Sequence, residues 1–157
     1  MKRLERLVRN FRNAIDTAGE EDRFINYPPF NKFPEGCCEH TSDLLCQYLL
    51  ENGIKTYLVR GERKATLKEC HVWLELVDEI VIDITEDQFI NKLVKADEAD
   101  IVRIGREGKV QKNFFVKRVK LDQTNFTNPE QFSGFGGQPN AYQKRLIEVN
   151  EIIREYL

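Results

Sequence analysis

The sequence predicts an α+β domain in which a central helix packs on an antiparallel β-sheet, with one further helix at each end. Apolar residues recur at helical spacing in residues 2–17, in residues 38–52 and in the segment after Pro139. Short runs rich in β-forming residues lie at 54–61, 70–76, 80–85, 101–104 and 114–121. Because only residues 77–79 separate the second run from the third, these two are expected to pair as antiparallel strands.

Length and composition predict one globular domain over residues 1–157. A chain of 157 residues is long enough to bury a substantial core, and contents of 41% hydrophobic and 32% charged residues are typical of soluble proteins. The net charge of −2 lacks the basic excess of a nucleic-acid-binding protein. No run approaches the length of a membrane-spanning helix, about 18 apolar residues. Neither nucleic acid nor a membrane is therefore an expected partner.

The N-terminal residues and the cysteine content predict a cytoplasmic location. Charged and apolar residues alternate in residues 1–6, which therefore lack the continuous apolar core of a secretory signal. The four cysteines, two of them adjacent, fit reduced thiols better than a disulfide framework. Cys46 and Cys70 are expected to be core or surface thiols.

Each terminal helix is predicted to pack one apolar stripe on the core. The helix in residues 2–17 has arginines on its other face, which is expected to be solvated. The last helix opens with Pro139, a residue that suits the first turn of a helix. The two stripes comprise Leu4, Leu7, Val8, Phe11, Ala14 and Ile15, and Tyr142, Leu146, Val149, Ile153 and Tyr156. Residues 123–139 show no periodicity and are predicted to form a long loop.

Two adjacent cysteines, Cys37 and Cys38, begin the central helix. Pro34 and Gly36 stop the preceding segment, and Gly53 is expected to end the helix. A thiol in the first turn of a helix faces the positive end of the helix dipole and free backbone N–H groups, which favour the thiolate. This position suits a nucleophile, although a buried structural cysteine beside a loop fits the stretch equally well.

A cysteine nucleophile needs a base, and the base needs a group that orients it. The chain has two histidines. His40 is two residues beyond Cys38 on the same helix, where two such side chains do not face each other. His71 lies on a predicted strand, and Asp83 follows twelve residues later on the next strand. An acid inside an apolar strand needs a partner, because burying an unpaired charge is costly.

Strand parity decides whether His71 and Asp83 share a face of the sheet. In an antiparallel pair they do so only if the connecting loop has an odd number of residues, such as 77–79. This register also matches the apolar faces of the two strands, which comprise Val72, Leu74 and Leu76 on one and Ile80, Ile82 and Ile84 on the other. Hydrophobic burial therefore favours the register that brings imidazole and carboxylate together.

Five short features follow one another between residues 33 and 89. They are a G-x-C turn at 36–38, a helix, a glycine-led strand that ends in V-x-G at 59–61, H-x-W at 71–73 and D-x-T at 83–85. This order resembles the transglutaminase-like branch of the papain-like cysteine enzymes. The resemblance implies a papain/transglutaminase-like fold, with the nucleophile helix packed on an antiparallel sheet. It also implies that Cys38, rather than Cys37, is the nucleophile, that His71 is the base and that Asp83 is the orienting acid.

The resemblance implies acyl transfer from an amide of a peptide or protein substrate, without a cofactor. Peptide hydrolysis, deamidation and amine cross-linking share the first half of this reaction. The Cys38 backbone N–H is the expected first oxyanion donor, and Asn31, Trp73 and Gln88 are candidates for the second. The glycine-rich residues 133–137 are a candidate lid.

Two other interpretations use the same residues. A catalytically inactive peptide- or protein-binding module would keep the fold without a reactive thiol. A structural zinc-binding domain would use the cysteines and histidines as ligands, although the sequence has no C-x-x-C pair. Glu39 and Asp43 are relevant to the inactive-module interpretation, because two carboxylates near the helix start oppose thiolate formation. The sequence makes no prediction of the oligomeric state.

Overall fold

A computed structural model describes residues 1–66, 69–120 and 139–157. In these residues a five-stranded antiparallel sheet, in the order β4-β3-β2-β1-β5, combines with four helices. The strands are β1 (Tyr57–Arg63), β2 (Cys70–Glu75), β3 (Val81–Asp83), β4 (Arg103–Gly105) and β5 (Phe114–Lys120). The helices are α1 (Lys2–Glu20), α2 (Cys38–Glu51), α3 (Lys109–Lys112) and α4 (Ala141–Arg154). The predicted α+β class with an antiparallel sheet is confirmed.

The register of β2 and β3 is the one favoured by the apolar pattern. Leu74 pairs with Ile82, and the backbone N–H of Leu76 donates to the oxygen of Ile80 at 2.9 Å. The connecting loop is therefore residues 77–79, with an odd number of residues. This parity directs the side chains of His71 and Asp83 to the same face of the sheet.

The two faces of the sheet bury different sets of side chains. One face contributes Leu74 and Ile82 to the main core, which it shares with α1, α2 and α4. The opposite face buries a smaller cluster, which comprises Val59, Trp73, Val81, Val94, Val110 and Phe114. His71 and Asp83 lie on this second face, because side chains alternate between faces along a strand.

α2 begins at Cys38, as predicted, and packs on the sheet beside β2. The hydroxyl of Ser42, one turn into the helix, donates to the backbone oxygen of Val72 at 3.3 Å. The apolar side chains that α2 buries in the main core are Leu44, Leu45 and Leu49. These contacts hold the first turn of the helix next to the start of β2, where His71 lies.

Gly53 terminates α2, also as predicted. It adopts a φ of +77°, which L side chains rarely accept but glycine adopts at little cost. Its N–H donates to the oxygen of Leu50 and the N–H of Ile54 donates to the oxygen of Leu49, at 2.8 and 2.9 Å. This is the Schellman pattern, which satisfies two carbonyl groups at the helix end.

α1 buries its predicted apolar stripe together with one arginine. Arg12 is 5% exposed, and its guanidinium donates to both carboxylate oxygens of Asp87, at 2.9 and 3.1 Å. It also donates to Asp16 at 2.9 Å and to the backbone oxygen of Ile84 at 2.7 Å. Ile84 and Asp87 closely follow β3, so this cluster connects α1 to the strand that carries Asp83.

Some element boundaries differ from the prediction. β1 begins at Tyr57 rather than at residue 54, and α4 begins at Ala141 rather than at Pro139. The N-cap of α4 is Asn140, whose side-chain oxygen accepts from the N–H of Gln143 at 2.9 Å. α3 was not predicted, because a four-residue helix is too short to show a periodic pattern.

The predicted long loop lies almost entirely outside the described residues. This includes the candidate lid at 133–137. In the part of the chain that the structure describes, no helix combines the length and apolar character needed to cross a bilayer.

Candidate active site

His71 and Asp83 form a hydrogen-bonded pair inside the smaller core cluster. The imidazole Nε2–H donates to Asp83 Oδ2 at 2.6 Å, and the two side chains are 0% and 1% exposed. Burial alone lowers the pKa of His71, but the charge and hydrogen bond of Asp83 outweigh burial and raise this pKa from 6.5 to about 10. Burial acts to raise the pKa of Asp83, but His71 outweighs it and the pKa is lowered. Each side chain therefore keeps the other ionised.

Aromatic rings enclose the imidazole of His71. The ring centroids of Phe89, Trp73 and Phe114 lie 4.8, 5.4 and 5.7 Å from that of the imidazole. Gly61 leaves space for two of these rings, since a Cβ there would lie 2.6 Å from Phe114 Cβ and 3.1 Å from Trp73 Cη2. These walls exclude water and strengthen the interaction with Asp83.

Cys38 approaches the imidazole from the first turn of α2. Hydrogen bonding and the charge of Cys38 add to the rise in the pKa of His71. Nδ1 of His71, the nitrogen that does not bind Asp83, has no partner of ordinary hydrogen-bond geometry among the described residues. The thiol contact is therefore looser than an ordinary hydrogen bond. Nδ1 is the nitrogen available to exchange a proton with the Cys38 sulfur.

The neighbouring thiol, Cys37, belongs to the main core. Its side chain is 0% exposed, and its Sγ donates to the backbone oxygen of Glu35 at 3.4 Å. Burial, with a contribution from the charge of Cys38, raises the pKa of Cys37 from 9.0 to about 12. The two adjacent cysteines thus differ in access: Cys37 is buried, whereas Cys38 is half-buried and lines a groove.

The two carboxylates near the start of α2 are both compensated. Glu39 accepts from the guanidinium of Arg60 at 3.1 Å. Asp43 accepts from the Tyr142 hydroxyl at 2.7 Å. Burial raises the pKa of Asp43 from 3.8 to about 6, against the effect of this hydrogen bond. Their opposition to a thiolate at Cys38 is therefore weaker than the sequence indicates.

The second histidine, His40, has a different environment. Its ring packs against Tyr142 and Phe30, with centroid distances of 4.8 and 6.0 Å. Burial lowers the pKa of His40, which favours the neutral imidazole. The structure thus pairs a carboxylate with His71 and packs His40 between aromatic rings.

Cys38 lines a groove of about 610 Å³. This volume lies within the range of small-ligand pockets, about 300–1,000 Å³. Phe89 and Leu93 supply apolar surface, and the exposed thiol of Cys70 lines the same groove. The charged side chains of the groove are paired: Arg63 with Glu69, Arg60 with Glu39, and Lys92 with Glu35.

The three candidate oxyanion donors lie in different places. Gln88 lines the groove, where its Oε1 accepts from the N–H of Gly36 at 3.3 Å and its Nε2 donates to the oxygen of Thr85 at 2.8 Å. Trp73 is 1% exposed, and its indole N–H donates to Glu75 at 3.1 Å. Asn31 is exposed and lines two other depressions, next to α1. The structure thus brings Gln88 to the same groove as Cys38, and does not bring Asn31 or Trp73 there.

Sequence reasoning missed Gln111, which contacts Asp83 directly, and Glu86, which is connected to Asp83 through Gln111. Gln111 Nε2, on α3, donates to Asp83 Oδ2 and to Glu86 Oε2, both at 2.9 Å. Glu86 is 0% exposed and also accepts from Arg103 at 2.7 Å. The only signal in the sequence was the acidic residue three positions after Asp83, which by itself does not indicate burial.

The structure also describes the remaining thiols and the groups that could bind a metal ion. Cys46 is buried in the main core, and the hydroxyl of Thr56 donates to its sulfur at 3.4 Å. All four cysteines are free thiols. The described residues contain no group of three or more His, Cys, Asp or Glu side chains arranged to hold a metal ion.

Comparisons with known proteins provide no relative for this site. No protein-family model, curated protein or solved structure matches the chain.

Proposed function

We propose that this protein is a papain/transglutaminase-like enzyme that transfers acyl groups from amides through Cys38, His71 and Asp83. One observation carries the proposal. A fully buried His71–Asp83 pair leaves one imidazole nitrogen beside a thiol at the start of a helix, and this thiol lines a groove. A buried histidine–carboxylate pair in which the histidine pKa is strongly raised is typical of catalytic sites when it lies beside a cleft.

In the first step, the thiolate of Cys38 attacks the carbonyl carbon of the amide. Nδ1 of His71 holds the proton that the thiol gives up, because Asp83 stabilises the imidazolium. The carbonyl π electrons move to oxygen and form a tetrahedral oxyanion. The first turn of a helix offers backbone N–H groups without intrahelical acceptors, so the Cys38 N–H is suited to bind this oxygen.

The C–N bond then breaks, and His71 gives its Nδ1 proton to the leaving amine. Cys38 now holds the acyl group as a thioester. Water or a second amine attacks this thioester and gives a proton to Nδ1, and the C–S bond breaks to restore the thiolate. Asp83 accepts the hydrogen bond from Nε2–H throughout and does not itself become protonated.

Gln88 is the favoured second oxyanion donor among the three candidates. Its Nε2 carries two protons, of which one bonds to Thr85, and its side chain lines the groove that contains Cys38. The bond from Gly36 to Gln88 Oε1 also connects this amide to the turn that precedes Cys38. Trp73 and Asn31 do not line this groove.

The groove favours an uncharged, partly apolar acyl group. Phe89 and Leu93 offer apolar surface, and the charged side chains along the groove are already paired with one another. A charged substrate group would lose hydration without gaining a free partner. This argument supports a peptide or protein substrate with an apolar residue near the reacting amide.

Alkylation with iodoacetamide at about pH 6, followed by peptide mapping, tests the nucleophile. Cys38 is expected to react about 10- to 100-fold faster than Cys70, because an ordinary thiol is almost fully protonated at this pH. Cys70 is a matched internal control, since it is exposed and lines the same groove. His71→Ala should remove the difference, whereas His40→Ala should retain it.

Acyl transfer itself is tested with p-nitrophenyl acetate, an activated ester that needs no specific recognition. We expect acetylated Cys38 in the mass spectrum and turnover that hydroxylamine accelerates, both lost in Cys38→Ala and retained in Cys37→Ala. Equal alkylation of Cys38 and Cys70, together with no acetylation of Cys38, would contradict the enzyme proposal. That result would favour an inactive peptide- or protein-binding module.

A further inference from the structure

A buried polar network behind the candidate site connects Asp83 to two other elements of the fold. Asp83 Oδ2 accepts from His71 on β2 and from Gln111 on α3. Its other oxygen, Oδ1, accepts from the N–H and hydroxyl of Thr85 at 2.9 and 3.2 Å. Each oxygen thus has two donors, which leaves the carboxylate one orientation.

Gln111 is a neutral side chain that joins this carboxylate to a second one, that of Glu86. Its Nε2 lies 2.9 Å from both Asp83 Oδ2 and Glu86 Oε2, and the residue is 1% exposed. Its Oε1 accepts from the N–H of Gly108 at 2.9 Å, so the nitrogen must face the carboxylates. The two amide protons are needed here, because two buried carboxylates without a donor between them would repel each other.

Glu86 is in turn held by β4 and the loop before it. Arg103 Nε donates to Glu86 Oε2 at 2.7 Å, and the backbone N–H of Asp100 donates to Oε1 at 2.5 Å. Arg103 lies against Gly108, where a Cβ would come within 2.5 Å of the guanidinium carbon. The absence of a side chain at Gly108 therefore allows Arg103 to cover the network.

We propose that Gln111 is a positioning residue that keeps the Asp83 carboxylate ionised and directed at His71, with Glu86 and Arg103 holding Gln111 in place. The inference rests on the proposed function, in which an ionised Asp83 stabilises the imidazolium that receives the Cys38 proton. Gln111 touches neither the thiol nor the groove, so its effect reaches the sulfur through Asp83 and His71.

The charges that face Asp83 fix the sign of the expected effect. Burial opposes the ionised carboxylate, whereas His71 on β2 and Arg103 on β4 favour it. A negative charge on Glu86 or on Cys38 would also oppose it, because like charges repel. Without the Gln111 donor, the opposition of Glu86 is no longer relieved. Asp83 then takes up a proton at higher pH, and the imidazolium loses its partner.

The acid limb of Cys38 alkylation, the pH range in which its reactivity falls on acidification, measures this effect. We expect the midpoint to rise by about one pH unit in Gln111→Met, which removes the donor and nearly keeps the side-chain volume. Gln47→Met is the matched control. It removes a similarly buried amide that donates to Glu51 at 2.9 Å, far along α2 from Cys38, and should leave the midpoint unchanged.

A measurement on the wild-type chain covers the case in which the variants do not fold. In NMR spectra of ¹⁵N-labelled protein, the side-chain amide signals of Gln111 should shift with the same midpoint as the acid limb. An unchanged acid limb in folded Gln111→Met, or Gln111 signals that do not move through that pH range, would overturn the inference. Failure of the proposed function is distinguishable, because Cys38 would then react no faster than Cys70 while the Gln111 signals still follow Asp83.

Discussion

Two buried ionic networks lie on opposite sides of β3, one around Arg12 and the other around Asp83. In the first, all three guanidinium nitrogens of Arg12 donate to protein oxygens, including both carboxylate oxygens of Asp87. In the second, both carboxylate oxygens of Asp83 are bonded, but Nδ1 of His71 has no ordinary partner among the described residues. The first network is closed, whereas the second leaves one polar atom beside a thiol.

This difference separates a structural network from one suited to chemistry. Buried polar groups are normally satisfied, because an unsatisfied one costs free energy. Arg12 follows that rule and connects α1 to the segment after β3. His71 departs from it at the nitrogen that faces Cys38, which is where the proposed reaction needs a proton acceptor. An unsatisfied nitrogen in a buried network therefore indicates function more strongly than a large number of ion pairs does.

Asp83→Asn should have the largest effect on the proposed activity. Asparagine removes the charge that stabilises the imidazolium, so turnover of p-nitrophenyl acetate should fall about 10²- to 10⁴-fold. Asp87→Asn, the matched change in the closed network, should lower stability but leave the turnover of the folded protein nearly unchanged. Equal losses of turnover in both variants would remove the distinction between the two networks.

Arg12→Met should reverse this pattern. It removes the buried partner of Asp87, whose side chain is only 14% exposed, so the free energy of unfolding in urea should fall by about 3 kcal/mol. The ratio of alkylation rates of Cys38 and Cys70 should not change. Arg9→Met is the control on the same helix, because the Arg9–Glu5 pair is exposed and is worth roughly 0–1 kcal/mol. A large fall in the alkylation ratio of folded Arg12→Met would show that the two networks act as one.

The smallest difference between the two networks should appear in the pH dependence of stability. The stability contributed by His71 is fully present below its unfolded pKa of 6.5 and is lost as the pH rises through about 10. The stability contributed by Asp83 is fully present above its unfolded pKa of 3.8. It is lost as the pH falls through the lowered pKa of Asp83 in the folded protein. The fall in Tm caused by Asp83→Asn should therefore be greatest between these limits and shrink toward pH 10. The fall caused by Arg12→Met should stay nearly constant on the alkaline side, since arginine remains charged.

Much of the fold could be predicted because local patterns specify it. The hairpin register follows from matching two apolar strand faces, and the limits of α2 follow from a cysteine-containing turn and a glycine suited to positive φ. The proximity of His71 and Asp83 follows from that register. The choice of Gln88 among the oxyanion candidates did not follow, because neither the place of Trp73 in H-x-W nor the positions of Asn31 and Gln88 outside the motifs indicates which side chain reaches the groove. Only their positions relative to the groove separate them.

The sequence by itself determined the α+β class, the position of Cys38 at the helix start and the strand parity of His71 and Asp83. These features depend on periodicity, turn residues and alternation, which are properties of neighbouring positions in the chain. The tertiary structure alone decided that Arg12 and Glu86 are buried and that Gln111 reaches Asp83. Glu86 and Arg103 are 17 positions apart, Gln111 and Asp83 are 28 apart, and Arg12 and Asp87 are 75 apart. Polar side chains of this kind look solvent-exposed in the sequence, because only a distant partner compensates their burial.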